Sequence, residues 1–230
     1  MVPQNEIIPI RIKFKKYGSL MYISHLDTAK TMQRIMLRAG IDIWYSEGFN
    51  PQPRIVFAVP LPVGVESECE FMDIKINSYM DCEEIKERLS RNFPDEMKII
   101  DVYVPETKLK NIIFIDYEME ITSPAIKEDT ADKMSDLLSK DVFVIKKSKG
   151  TEKEINIREY INSVRVKNEN GKIKINAILY GGNDKNLNPE LVIDAIKNNT
   201  ELLNGSPVEE YYSIMRKRML CEDLTEFKSI

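Results

Sequence analysis

Between residues 8 and 15, apolar residues alternate with residues that are mostly basic, with Ile8, Ile10, Ile12 and Phe14 set against Pro9, Arg11, Lys13 and Lys15. A period of two predicts a β-strand with one apolar and one basic face. Helical spacing follows up to Ala39, with Ser24 as the expected N-cap, Asp27 three residues later, and Gly40 as the stop signal. The chain therefore begins with a strand and a helix.

The remainder of the first half continues in short extended and helical segments. Extended segments are predicted at residues 41–45, 54–59 and 70–76, a helix at 82–92, and a strand at 98–104. The order of these elements is βαββαβ, with one extra extended piece after the first helix. This order is the ferredoxin-like pattern.

The second half repeats the same order of elements. Strands are predicted at residues 114–122, 141–146, 172–180 and 210–219, and helices at 125–139 and 189–198, with residues 154–166 as an insertion. A chain of 230 residues is long enough for two compact domains of ordinary size. The sequence thus predicts an α+β protein of two tandem ferredoxin-like halves, residues 1–110 and 111–230, the second with an insertion near residues 150–166.

Charge is unevenly distributed along the chain. The formal net charge is −4, yet residues 1–60 hold eight Lys and Arg against four Asp and Glu, a local balance of +4. A basic surface on an acidic protein favours a polyanion such as RNA as a partner. Ordinary scatter of charged residues is the alternative explanation.

Cysteine and histidine content restricts the chemistry. Cys69, Cys82 and Cys221 are far apart and form no CxxC pair, which favours a reducing, cytoplasmic compartment and argues against an iron–sulfur cluster held by this chain. His25 is the only histidine, so a metal site with two histidines is excluded. We therefore expect no metal and no cofactor in this chain. The first residues do not resemble a signal peptide and no apolar run could span a bilayer, so no membrane association is expected.

Several short blocks in the first half are specific when they are taken together. They are YISHLD (22–27), RAG (38–40), YSEGFNP (45–51), PRI (53–55), FA (57–58), PLPVG (60–64) and Asp73. Together they resemble the signature of the radical SAM-linked protein family. The resemblance implies a protein encoded beside, or fused to, a B12-binding-type radical SAM protein, and hence a radical SAM protein as partner. That family commonly has a histidine where this chain has Gln52, so no imidazole role is transferred to that position.

His25 is a candidate for chemistry at the first turn of the first helix. The positive end of the helix dipole favours the neutral imidazole, which leaves a nitrogen free to accept a proton or bind a ligand. Its expected role is a general base or a substrate-binding group, with Tyr22 as a candidate catalytic neighbour. The alternative is that His25 packs the turn and donates to a backbone carbonyl.

A proline-rich loop, residues 49–54, is the second candidate. Its two prolines restrict the backbone, which suits a preorganised binding surface. Asn50 and Gln52 offer amide groups beside Phe49, and Arg54 offers a planar guanidinium for phosphate or carboxylate. The alternative is a rigid turn between two strands, in which Arg54 pairs with a nearby acid.

Basic residues form the third candidate. A basic stripe of three residues, four positions apart on one face of the first helix, consists of Lys30, Arg34 and Arg38. Such a stripe suits a polyanion backbone, and a solvated helix face is the alternative. On the first strand, Arg11 or Lys13 is expected to pair with Asp73, because the first and third strands of a ferredoxin-like sheet are neighbours.

These observations favour an accessory, non-catalytic protein that binds RNA, or presents a substrate, for a radical SAM partner enzyme. His25, the proline-rich loop and the basic stripe are its expected binding surface. Two alternatives stay open. One is a metal-independent RNA-cleaving or RNA-modifying enzyme with His25 as general acid/base. The other is a scaffold whose proline-rich loop docks the radical SAM protein.

Overall fold

The computed structural model describes residues 7–148 and 150–227. These residues form a mixed α+β structure with four α-helices and mostly antiparallel strands. They divide into two compact units, one that extends to Asn111 and includes Phe227, and one that covers Ile112–Glu226. None of the helices within the described ranges is long and apolar enough to cross a membrane.

Strands and helices alternate in the described part of the first unit. In chain order they are β1 (Ile8–Lys16), α1 (His25–Arg38), β2 (Ile55–Phe57), β3 (Val65–Ile76), α2 (Cys82–Ser90) and β4 (Met97–Tyr103). Short 3₁₀ helices occupy Gly18–Tyr22 and Leu109–Asn111. The strands are ordered β4-β1-β3-β2, and each neighbouring pair is antiparallel.

Local signals determine where α1 begins and ends. The Ser24 hydroxyl accepts from the backbone N–H of Asp27 at 3.2 Å and donates to the Asp27 carboxylate at 2.7 Å. At the other end Gly40 takes φ +66°, a left-handed conformation that favours glycine. The predicted start and end of this helix are confirmed.

The apolar faces of β1 and β3 lie against both helices of the first unit. One buried cluster contains Ile10, Ile12, Phe14, Met72, Ile74 and Ile76 from the strands and Met32, Ile35, Met36, Ile85 and Leu89 from the helices. Burying each large apolar side chain contributes about 1.5–3 kcal/mol. Because α1 and α2 share this cluster, both helices cover the same side of the unit's sheet.

The opposite side of this sheet holds a buried ion pair. Arg11 and Asp73 are direct partners across β1 and β3. The Arg11 Nε donates to Asp73 Oδ1 at 2.6 Å, and Nη2 donates to Oδ2 at 2.8 Å. Burial opposes the charged guanidinium, but the hydrogen bonds and charge of Asp73 raise the pKa of Arg11 above its usual value. The predicted pairing of Asp73 is confirmed, with Arg11 as its partner.

The second unit has a similar alternation of strands and helices, with two additional strands. Its elements are β5 (Phe114–Thr122), α3 (Thr130–Ser139), β6 (Phe143–Ser148), β7 (Thr151–Asn156), β8 (Ile161–Glu169), β9 (Lys172–Tyr180), α4 (Glu190–Asn199) and β10 (Tyr211–Leu220). A 3₁₀ helix, Ile157–Tyr160, precedes β8. The order is β10-β5-β9-β8, antiparallel throughout, while β6 and β7 pair in a separate two-stranded sheet.

One part of the predicted second half differs from the structure. The sequence pattern predicts residues 141–146 as a strand of the main motif and residues 154–166 as an insertion. In the structure β6 pairs only with β7 among the described strands, and β8 lies beside β9 in the larger sheet. The physical reason is that β8 is mostly exposed on both faces, so its sequence carries little apolar alternation.

Candidate functional site

A small cavity lies in the first unit, beside the first turn of α1. Its lining residues are Phe14, Lys16, His25, Thr28, Phe57, Leu61 and Glu70. Its volume is about 10 Å³, close to the least that can hold one water molecule. His25 reaches it from the helix and packs edge-on against Phe57, with the ring centroids 5.0 Å apart.

Two charged residues are buried at this cavity. Lys16 is 2% exposed and Glu70 is 4% exposed, and the Lys16 Nζ donates to the Ile23 carbonyl at 3.4 Å. Charged groups are rarely buried so deeply unless hydrogen bonds and opposite charges stabilise them. An imidazole, an ammonium and a carboxylate therefore line one small cavity, a combination that occurs at functional sites and in structural ion-pair networks.

Lys16 and Glu70 are not among the predicted site residues, although the sequence carries a signal for both. Lys16 lies two residues after Phe14 on β1, and Glu70 lies two residues before Met72 on β3. With a period of two, both charges fall on the faces that the apolar residues of their strands occupy. A charged residue that continues the apolar face of a strand by one more position can therefore be identified from the sequence as a candidate buried group.

Tyr22, the predicted neighbour of His25, is placed differently. It ends the 3₁₀ helix before α1 and is 66% exposed, so most of its ring is in solvent. Thr28 and Phe57 line the cavity together with the imidazole, and Tyr22 is not among the lining residues. The Thr28 hydroxyl donates to the Ser24 carbonyl at 3.0 Å and is thereby used within the helix.

The proline-rich loop forms a braced hairpin. The backbone N–H of Arg54 donates to the Trp44 carbonyl at 3.1 Å, and the N–H of Ser46 donates to the Gln52 carbonyl at 2.9 Å. The Ser46 hydroxyl in turn accepts from the Gln52 N–H at 3.0 Å, and the Gln52 amide donates to the Asn50 side chain at 3.2 Å. The loop therefore has internal hydrogen bonds of its own.

Phe49 and Arg54 project from this hairpin. Phe49 is fully exposed, with a relative accessibility of 113%. Arg54 is also exposed, and its side chain makes no hydrogen bond or ion pair within residues 7–148 and 150–227. The predicted pairing of Arg54 with a nearby acid, offered as the alternative to binding, is therefore not seen in the described part of the chain.

The basic stripe lacks the carboxylate partners that four basic residues of α2, α3 and their C-caps have. On α2, α3 and their C-caps, four basic residues pair with a carboxylate one turn earlier at 2.5–3.3 Å: Arg88–Glu84, Arg91–Glu87, Lys133–Asp129 and Lys140–Asp136. On α1, Lys30 and Arg34 are exposed and form no ion pair in the described ranges. Arg38 donates to the Asn92 carbonyl at 3.2 Å. The stripe therefore carries uncompensated positive charge.

Among the residues that the structure describes, no three His, Cys, Asp or Glu side chains are grouped so that they could hold a metal ion. Cys69 is buried, and Cys82 and Cys221 are partly exposed free thiols. Burial and the neighbouring carboxylates of Asp81 and Glu83 raise the pKa of the Cys82 thiol. A thiol with a raised pKa is mostly protonated at neutral pH and is therefore a poor nucleophile.

Comparison with known proteins gives a family and two distant structural similarities. The sequence pattern of DUF2344, described as an uncharacterized protein conserved in bacteria, matches residues 9–189. No curated protein matches the chain. A chain from the crystal structure of a Cbf5-Nop10-Gar1 complex is 8% identical to this chain, with a TM-score of 0.48. The match covers 91% of this chain and 48% of the other, so this chain spans about half the length of that protein. An unknown protein from Galdieria sulphuraria is 9% identical with a TM-score of 0.26, over 92% and 99%.

Proposed function

This chain belongs to the DUF2344 family of proteins conserved in bacteria, and we propose that it is a non-catalytic accessory protein that binds RNA through the basic stripe of α1. The observation that carries the proposal is the absence of carboxylate partners for Lys30 and Arg34 in the described ranges. On α2 and α3, Arg88 and Lys133 have such partners one turn away, whereas Lys86 on α2 and Lys197 on α4 form no ion pair in the described residues.

The arrangement of the stripe has an energetic cost. Lys30, Arg34 and Arg38 form two like-charge pairs at i, i+4, and each such pair destabilises a helix by about 0.2–0.5 kcal/mol. The three charges lie about 6 Å apart along the helix, since each residue adds about 1.5 Å. A polyanion backbone would remove the mutual repulsion and would release its counterions on binding.

We also infer that both units are ferredoxin-like. The support is the strand order, β4-β1-β3-β2 in the first unit and β10-β5-β9-β8 in the second, with two helices in each unit. In the first unit both helices cover one side of the sheet. On this interpretation the β6–β7 hairpin is the decoration of the second unit.

The partner in this proposal is a radical SAM enzyme. Its support is the resemblance of the YISHLD, YSEGFNP and PLPVG blocks to the radical SAM-linked signature. In this division of labour the partner supplies the cluster and the radical chemistry, and the present chain holds the RNA. The chain itself would need no cofactor.

The proposal is tested by reversing charge on the stripe. Lys30 and Arg34 are changed together to Glu, and Arg38 is kept because its guanidinium holds the Asn92 carbonyl. The wild type should bind a single-stranded RNA oligonucleotide with an affinity that falls steeply with salt. In a plot of log affinity against log salt concentration, the negative slope of the double variant should be smaller in magnitude by about 1.4, because two phosphate contacts are lost.

Lys133→Glu is the matched control, because Lys133 is exposed on a helix but paired with Asp129. The control should retain the affinity of the wild type. Absence of salt-dependent RNA binding by the wild type at micromolar concentration would contradict the proposed function.

A second candidate function is supported by the cavity. His25 lines it together with Lys16 and Glu70, which would provide a general acid/base with charged neighbours for a metal-independent RNA-cleaving or RNA-modifying activity. The cavity is too small for a nucleotide. An enzymatic function would therefore require a lining residue, either Leu61 or Phe57, to move and open the cavity. The accessory function requires no such movement and is therefore preferred.

A further inference from the structure

We propose that the proline-rich loop stacks an unpaired RNA base on Phe49, so that the ligand of this protein is single-stranded rather than duplex RNA. The inference rests on the proposed RNA-binding function and specifies its substrate class. It concerns a surface different from the basic stripe, so the two can be separated by substitution.

The first observation is the exposure of Phe49. Its relative accessibility of 113% means that Phe49 contacts almost nothing among the residues that the structure describes. A phenylalanine held in water makes no contribution to the core, so packing within the described residues does not explain this residue. An exposed aromatic face is the group on which proteins stack bases of single strands.

The second observation is that the ring is carried by a braced backbone. Backbone hydrogen bonds join Ser46 to Gln52 and Trp44 to Arg54. The two prolines of the loop fix φ at their own positions. Such a support limits the backbone freedom that the loop loses on binding, which is a form of preorganisation.

The third observation is the chemistry around the ring. Asn50 and Gln52 carry amides that match the donor and acceptor edges of a base. Arg54 is exposed and has no partner in the described residues, so its guanidinium is available to a phosphate. Glu47, the one acidic residue of the hairpin, opposes anion binding, and the contribution of Arg54 offsets it.

These neighbours favour a nucleotide over a protein. A protein partner that buries Phe49 needs further apolar surface around it, because stable interfaces have an apolar core. Between Glu47 and Arg54, the residues other than Phe49 are polar, glycine or proline. A base requires only one aromatic face, with polar groups at its edge. A duplex offers no unpaired base and would not use this loop.

The experiment compares two RNA probes with the full chain. One is a labelled oligouridylate 12-mer and the other is a blunt 12-base-pair duplex. Phe49→Ala should lower the affinity for oligouridylate about 5- to 150-fold, the range that corresponds to the loss of one base stack, and leave affinity for the duplex unchanged. Phe49→Trp should keep the affinity and show fluorescence quenching by oligouridylate beyond that of the wild type.

Tyr79→Ala is the control, because Tyr79 is an aromatic residue of the same unit with 69% exposure. Equal affinities of Phe49→Ala and Tyr79→Ala for oligouridylate would overturn the inference while RNA binding by the stripe stands. Failure of the wild type to bind either probe would remove the proposed function, and the inference with it. Loss of a co-purifying protein in Phe49→Ala, with RNA affinity intact, would identify the loop as a protein anchor and would also overturn the inference.

Discussion

The ring of His25 meets the ring of Phe57 edge to face, with centroids 5.0 Å apart and planes inclined at 79°. Such a contact contributes about 0.5–1.5 kcal/mol beyond the apolar area that it buries. We therefore expect His25→Ala to lower the free energy of unfolding by at least that amount, measured by denaturant titration. We also expect a several-fold loss of RNA affinity, because one hydrogen bond to a ligand contributes about 0.5–1.5 kcal/mol.

His25→Phe separates these two effects. It keeps a ring against Phe57 and should restore stability without restoring RNA affinity. The enzymatic alternative predicts a different result, since a general acid/base typically contributes a factor of about 10²–10⁴ to the rate. Turnover of RNA by the wild type that His25→Ala abolishes at unchanged affinity would support the enzyme and refute the accessory function.

The basic stripe predicts an opposition between stability and binding. Changing Arg34 to Glu replaces two like-charge pairs with two opposite-charge pairs, one with Lys30 and one with Arg38. Since each i, i+4 pair changes helix stability by about 0.2–0.5 kcal/mol, Arg34→Glu should stabilise the fold by roughly 1 kcal/mol at low salt. RNA affinity should fall at the same time, and Arg34→Gln should give about half of each effect. A destabilised Arg34→Glu variant would show that Arg34 has a structural role.

The Arg11–Asp73 pair predicts a large loss of stability. Asp73→Asn removes the carboxylate and leaves the Arg11 guanidinium, only 1% exposed, with a neutral amide and the two Thr107 oxygens to which it also donates. Breaking a buried pair in this way lowers the free energy of unfolding by about 3–5 kcal/mol. We expect a loss near the lower end, about 3 kcal/mol, because the Asp73 side chain is still 26% exposed to solvent. Thermal or denaturant unfolding measures the change.

Glu84→Gln is the matched control for that substitution. It breaks the Arg88–Glu84 pair, whose side chains are 40% and 49% exposed. Exposed pairs contribute at most about 1 kcal/mol, so the control should be nearly neutral. Equal losses in the two variants would show that burial does not determine the contribution of the Arg11–Asp73 pair.

Glu96 predicts a dependence of stability on acid pH. The Ser19 hydroxyl donates to its carboxylate at 2.7 Å and the Ser19 N–H donates at 2.9 Å, and these bonds lower the pKa of Glu96 below its ordinary value of 4.5. The contact therefore stabilises the fold fully above pH 4.5 and is lost as the pH falls through the lowered pKa. Glu96→Gln should have a smaller loss of melting temperature between pH 5 and pH 3 than the wild type. Glu128→Gln, an exposed carboxylate without a hydrogen bond in the described residues, should behave as the wild type does.

Elements with strong local signals could be predicted from the sequence. The N-cap Ser24 and the stop at Gly40 predicted α1 because caps are made by neighbouring residues. Strands β5 and β9 have the predicted bounds, residues 114–122 and 172–180, because both alternate regularly between apolar and polar residues. In these cases the pattern of the segment itself carries the information.

Features that depend on distant residues could not be predicted in the same way. The cavity beside His25 exists because β1 and β3 pair in a register that puts Phe14 opposite Glu70. Nothing near Lys16 in the sequence indicates which residue of β3 will lie beside it. The exposure of Phe49 likewise depends on the hydrogen bonds that close the loop. Phe49 was predicted as part of the binding surface, but a base-stacking role could not be predicted from the sequence.

Strand β8 forms the outermost position of the sheet in the second unit. An outermost strand presents a row of backbone groups that can recruit a strand from another molecule and begin aggregation. In β8 the residues Arg165, Lys167 and Asn168 are exposed, and charged side chains at an edge oppose such recruitment. The polar side chains that hid β8 from the hydrophobic pattern are thus the same ones that oppose the addition of a foreign strand at this edge.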